Sequence, residues 1–134
     1  METTTLDKDI KVFYVEAKSF PAGIMEAHQK LHALIPFSED RRYFGISRPE
    51  NGAIAYKATA EELTDGEAEK LKLPVVTLKK GKYISLLITD YMKDVLSIDR
   101  AFKQLLSQPH LDPQGYCVEW YLGKDVKCMV RLEK

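Results

Sequence analysis

Cysteine is nearly absent: Cys117 and Cys128 are the two in 134 residues, so no disulfide framework can hold this chain together. Two free thiols in a cytoplasmic protein are the simplest reading. Net charge is missing too, because twenty Lys and Arg residues balance twenty Asp and Glu. Phosphate binding needs a basic field, so direct nucleic-acid binding is not expected. The densest basic cluster is only Lys79, Lys80 and Lys82. No apolar run approaches a membrane span, and the opening Met1-Glu2-Thr3-Thr4-Thr5 is not a secretory leader. A cytoplasmic location away from membranes is therefore expected.

What is present is an ordinary globular composition at a length suited to one domain, taken here as residues 1–134. Ile10 to Ala17 suits a strand. Ser19 offers a helix cap, with Pro21 in the first turn. Ile24, Ala27, His28, Leu31, Leu34 and Ile35 then recur at helical spacing until Pro36. Tyr43 to Ser47 and Ala53 to Ala58 flank Asn51-Gly52, a strong hairpin signal.

The second half repeats this plan. Lys82 to Thr89 reads as a strand, and Asp90 as the cap of a helix with apolar stripe Met92, Val95, Ile98, Phe102, Leu105 and Leu106. Tyr116 to Leu122 and Val126 to Leu132 follow, joined by Gly123-Lys124. Between the halves, Thr64 and Glu67 have capping-box spacing for one short helix. The predicted class is α+β: two β-α-β-β units, about 10–60 and 75–132, form one antiparallel sheet with both main helices on one face. A ligand groove between those helices is the natural concavity.

Glu119 is the residue hardest to place in such a sheet. It stands inside Tyr116-Cys117-Val118-Glu119-Trp120-Tyr121-Leu122, where a charged side chain is costly unless paired. A two-residue turn at Gly123-Lys124 sets Leu122 opposite Asp125 and Glu119 opposite Cys128. Alternation then gives one face Cys117, Glu119, Tyr121, Val126, Cys128 and Val130. The other face receives Trp120, Lys127 and Arg131, so the Glu119 face is the better candidate for helix cover. Glu119 is either a buried carboxylate with a raised pKa or a solvated strand residue paired with a lysine.

Three stretches in this order carry a resemblance: Tyr43-Phe44-Gly45-Ile46-Ser47 with Tyr56 beyond the turn, Gly81-Lys82-Tyr83, and Glu119-Trp120-Tyr121. Within the duplicated plan the chain resembles the effector-binding domain of the gyrase-inhibitory-protein-like (GyrI-like) superfamily, found in multidrug-sensing regulators such as Rob and BmrR. The resemblance spans about Ile10 to Leu132. It implies a glutamate at the base of a pocket, matched by Glu119, with Tyr121 beside it and Tyr83 as a further pocket tyrosine. The regulators carry a separate DNA-binding domain. This chain instead looks like a stand-alone module similar to cationic-drug-binding modules on mobile gene cassettes. That leaves direct transcription regulation in doubt.

Two functions follow from different classes. One is a binding module for hydrophobic, amphipathic cations, with Glu119, Tyr121, Tyr83, Tyr56 and Tyr91 as ligand contacts, Tyr91 the weakest. The other, implied by the resemblance, is hydrolysis of reactive cyclopropane-containing compounds by Glu119 with a tyrosine such as Tyr83. No cofactor is expected. His28 and His32 have a spacing that can hold a metal, but no third ligand stands near, so packing is the better reading. A protein partner or a homodimer would fit a stand-alone effector module.

Overall fold

The computed structural model describes residues 1–133. They form a mixed α+β structure in which every strand pairing described is antiparallel. The chain divides into two compact units.

One unit runs from Asp9 to Lys79. Its elements are β2 (Ile10–Glu16), α1 (Ile24–Leu34), β3 (Tyr43–Glu50), β4 (Ala53–Glu61), α2 (Glu67–Leu71) and β5 (Val75–Leu78), with strand order β3-β4-β2-β5. Asn51 and Gly52 both take positive φ, 52° and 82°, which is the twist a two-residue hairpin needs. Small residues let α1 approach the sheet. Ala58 and Ala60 are fully buried on the face that carries Tyr56, and Ala27 and Leu31 are the buried residues of α1. Helix α1 starts at Ile24, behind Gly23, with no side-chain cap; Ser19 contributes only its carbonyl, which accepts from Gly23 N–H.

The second unit joins Met1–Lys8 to the chain from Lys80 onward. It holds β1 (Glu2–Leu6), β6 (Gly81–Ile88), α3 (Leu96–Leu106), β7 (Cys117–Leu122) and β8 (Asp125–Arg131), ordered β1-β6-β8-β7. Helix α3 packs on β6 and β8, and Ala101 and Leu105 are its buried residues.

Several expectations need correcting. Strands β1 and β5 were not foreseen: β1 pairs with β6, and β5 with β2. Asp90 does not cap α3. It adopts a left-handed conformation, and Tyr91–Lys93 form one turn of 3-10 helix before α3 opens at Leu96. That break rotates the buried stripe to Ile98, Ala101, Phe102 and Leu105, leaving Met92, Val95 and Leu106 exposed. Thr64 does not form a capping box. Gly66 precedes α2, while the Glu67 carboxylate pairs with Arg41 at 2.7 Å.

Candidate functional site

Strand β7 places Glu119, and its pairing with β8 fixes which way the side chain faces. Leu122 lies opposite Asp125 and Glu119 opposite Cys128, the register that a two-residue turn requires. Beyond β8, Cys128 lies opposite Leu86 of β6. One face of this unit therefore carries Cys117, Glu119 and Tyr121 with Val126, Cys128, Val130 and Leu86. Helix α3 covers part of the same face through Ala101 and Leu105.

Glu119 itself is half-buried. Its Oε1 accepts a 2.7 Å hydrogen bond from the Tyr121 hydroxyl. Among the described residues it makes no ion pair, so no fixed cation answers its charge. Loss of solvation raises the carboxyl to about 7, and the Tyr121 hydrogen bond opposes that rise. The field of Glu119 reaches its neighbours. Desolvation and then the Glu119 charge push Cys117 to about 11, and the same causes followed by Cys117 push Cys128 to about 12. Tyr91 is raised by desolvation and by Glu119. These thiols are protonated and unreactive at neutral pH.

The ring of Tyr91 lies 6.1 Å from that of Tyr121, inclined at 41°. The turn that holds Tyr91 is tied to the β7–β8 hairpin by Tyr91 N–H to the Lys124 carbonyl, 3.2 Å, and by Asp90 N–H to Asp125 Oδ1, 2.9 Å. Glu119, Tyr121 and Tyr91 are thus brought together. The turn that spoils the predicted helix start is what presents Tyr91 to Tyr121.

Tyr83 is not brought to this group. Tyr83 lies opposite Arg131, one residue out of phase with the Leu86–Cys128–Glu119 row, and so occupies the other face of the sheet, buried. Tyr56 belongs to the other unit. It is 1% exposed, its hydroxyl lies 2.8 Å from His28 Nε2, and its ring is 6.2 Å from Phe20. Burial lowers His28 to about 4, so its ring is neutral. The His32 ring lies 5.1 Å from that of Tyr43, tilted at 46°. Among the described residues no group of three or more His, Cys, Asp or Glu side chains is arranged to hold a metal.

Reading the sequence missed one feature of the Asp9–Lys79 unit. The Lys57 side chain is 6% exposed, with Glu50 Oε2 at 3.4 Å, Glu16 Oε1 at 3.7 Å and the Tyr14 ring at 5.3 Å. A surface depression of about 360 Å³ adjoins it, with Glu16, Phe20, Glu50 and Ile54 on its walls. None of the predicted ligand contacts lines that depression. The signal was slight: a lone lysine in an alanine-rich strand.

No helix among the described residues is long and apolar enough to cross a membrane. No family model matches the chain, and no curated protein does. Solved structures do. An integron cassette protein from the mobile metagenome of Vibrio cholerae superposes with a TM-score of 0.69 over 98% of this chain and 94% of its own, at 15% identity. A hydrolase from Listeria innocua gives 0.63 over 98% and 90%, at 12% identity. SAV2435 bound to tetraphenylphosphonium gives 0.64 over 97% and 93%, at 13% identity. At such identities the likeness shows a shared fold and nothing finer.

Proposed function

We propose that this protein is a small-molecule-binding module of the GyrI-like effector-binding type, and that its ligands are hydrophobic or amphipathic cations. The observation that carries the reading is Glu119: a partly desolvated carboxylate, hydrogen-bonded once to Tyr121, with no cation of its own among the described residues. A positively charged ligand would supply the missing partner. Coulomb attraction strengthens as water is excluded, and the Tyr121 and Tyr91 rings would add cation–π contacts of about 0.5–2 kcal/mol each. The fold shared with a tetraphenylphosphonium-bound protein lends support. On the same reading the two units are copies of one β-α-β-β plan. In each, the strand order runs extra strand, first, third, second, which is consistent with duplication.

The decisive test is fluorescence titration with a rhodamine-type dye, alongside competition by tetraphenylphosphonium, on wild type and Glu119→Gln. Dye affinity should fall roughly tenfold or more in the variant, equivalent to about 1.4 kcal/mol or more. Unchanged affinity would remove Glu119 from ligand binding.

A second reading, hydrolysis of cyclopropane-containing compounds, is favoured by one observation: a carboxyl near 7, bonded to a phenol, suits general acid–base work. On that reading Tyr121, hydrogen-bonded to Glu119, would assist in place of Tyr83, which lies on the other face. Turnover no greater than that of Glu119→Ala would exclude this activity.

A further inference from the structure

The surroundings of Glu119 discriminate between kinds of cation. Oε1 is occupied by the Tyr121 hydroxyl, and among the described residues no hydrogen bond or ion pair engages Oε2. Where α3 does not cover it, the face offers the rings of Tyr121 and Tyr91, the thiol of Cys117 and the aliphatic carbons of Leu86, while Cys128 and Val126 are fully buried against α3. Oxygen acceptors among these side chains are therefore confined to the Glu119 carboxylate and the phenol oxygens of Tyr121 and Tyr91.

A protonated primary amine brings three N–H donors, each of which needs an acceptor once water is displaced. Thiols are weak acceptors and ring faces accept N–H poorly. A quaternary ammonium or a phosphonium brings no donor at all. Its charge lies under a carbon surface, which ring faces match and which is readily desolvated. We infer, resting on the cation-binding reading above, that the Glu119 face selects permanently charged onium ions without N–H groups over protonated amines bearing the same aromatic body.

The test uses two matched probes, naphthylmethyl-trimethylammonium and naphthylmethylammonium, titrated at pH 8 where both are cationic. Wild type, Glu119→Gln, Cys117→Ser and Tyr91→Leu are compared. Wild type should bind the trimethyl probe roughly tenfold more tightly than the primary amine. Glu119→Gln should weaken the trimethyl probe. Cys117→Ser places a better acceptor on the same face and should narrow the ratio by improving the amine. Tyr91→Leu removes a ring face and should narrow it by weakening the onium ion. Equal Glu119-dependent affinities in wild type would overturn the selectivity and leave cation binding standing. A preference that neither Cys117→Ser nor Tyr91→Leu alters would also overturn it, because methyl hydrophobicity alone would then be the cause. Failure of both probes and of tetraphenylphosphonium would overturn the cation-binding reading and this inference together.

Discussion

At the scale of single residues, Glu119 and Tyr121 make opposed demands. The folded carboxyl titrates near 7, above the ordinary glutamate value of 4.5, because desolvation outweighs the Tyr121 hydrogen bond. Between those two values the folded state holds a proton that the unfolded chain has lost, so stability falls as pH rises and is flat above about 7. Glu119→Gln removes the charge and keeps an acceptor for Tyr121. It should stabilise the protein at pH 8.5 by up to about 3 kcal/mol, a gain that shrinks at pH 5. Urea denaturation at both pH values measures this, and equal stabilities at pH 8.5 would mean the carboxylate is well solvated. Tyr121→Phe removes the bond that favours the charged form. Carboxyl NMR should then show Glu119 titrating above its wild-type value, and an unchanged midpoint would count against the bond. Cation affinity should follow the same ionisation, rising from pH 5.5 to 8.5 in wild type and staying flat in Glu119→Gln.

At the scale of elements, α3 shows how a short break redirects a helix. Apolar residues at 92 and 95 extend the helical spacing backward, so the sequence reads as one continuous stripe. The structure interrupts it, with Asp90 left-handed and a 3-10 turn at Tyr91–Lys93. Leu105 ends fully buried and Leu96 is 64% exposed. Leu105→Ala should cost about 2–5 kcal/mol, whereas Leu96→Ala should stay within about 0.5 kcal/mol. Denaturant midpoints compare the two directly, and similar losses would mean that Leu96 is buried like Leu105. The β7–β8 hairpin was legible for the opposite reason. A two-residue turn, with Gly123 at φ 68°, leaves a single register, and register decides the face of every side chain. Tyr83 was not legible in this way, since its face depends on pairing with a strand far away in the chain.

At the scale of the whole molecule, Glu119 of one unit and His28 of the other are both shifted by desolvation, and their effects on stability between pH 4.5 and 6.5 have opposite sign. His28 is lowered from 6.5 to about 4, mainly by desolvation, so the folded state resists protonation. Its contribution is complete above about pH 6.5 and is lost as pH falls toward 4. Over the range where Glu119 favours lower pH, His28 favours higher pH. His32 is lowered by desolvation too but is exposed, so it adds little, and wild-type stability should vary little between about pH 5 and 6.5. His28→Gln should expose the Glu119 slope, with stability now falling steadily as pH rises. Chemical denaturation across that range tests it, and an unaltered profile would show that His28 is hydrated in the folded state.

The sequence by itself determined the α+β class, most strand and helix positions, the absence of a disulfide scaffold, and the face that Glu119 shares with Tyr121. These follow from alternation, helical spacing and turn chemistry, all local properties. Strands β1 and β5 were decided only by tertiary structure: each is short, and each becomes a strand because β6 or β2 offers it a hydrogen-bonding edge. The same holds for the group around Glu119. Pairing across β6, β8 and β7 sent Tyr83 to the far face and brought Tyr91 against Tyr121, because a side chain's surroundings depend on which strands and turns lie beside it.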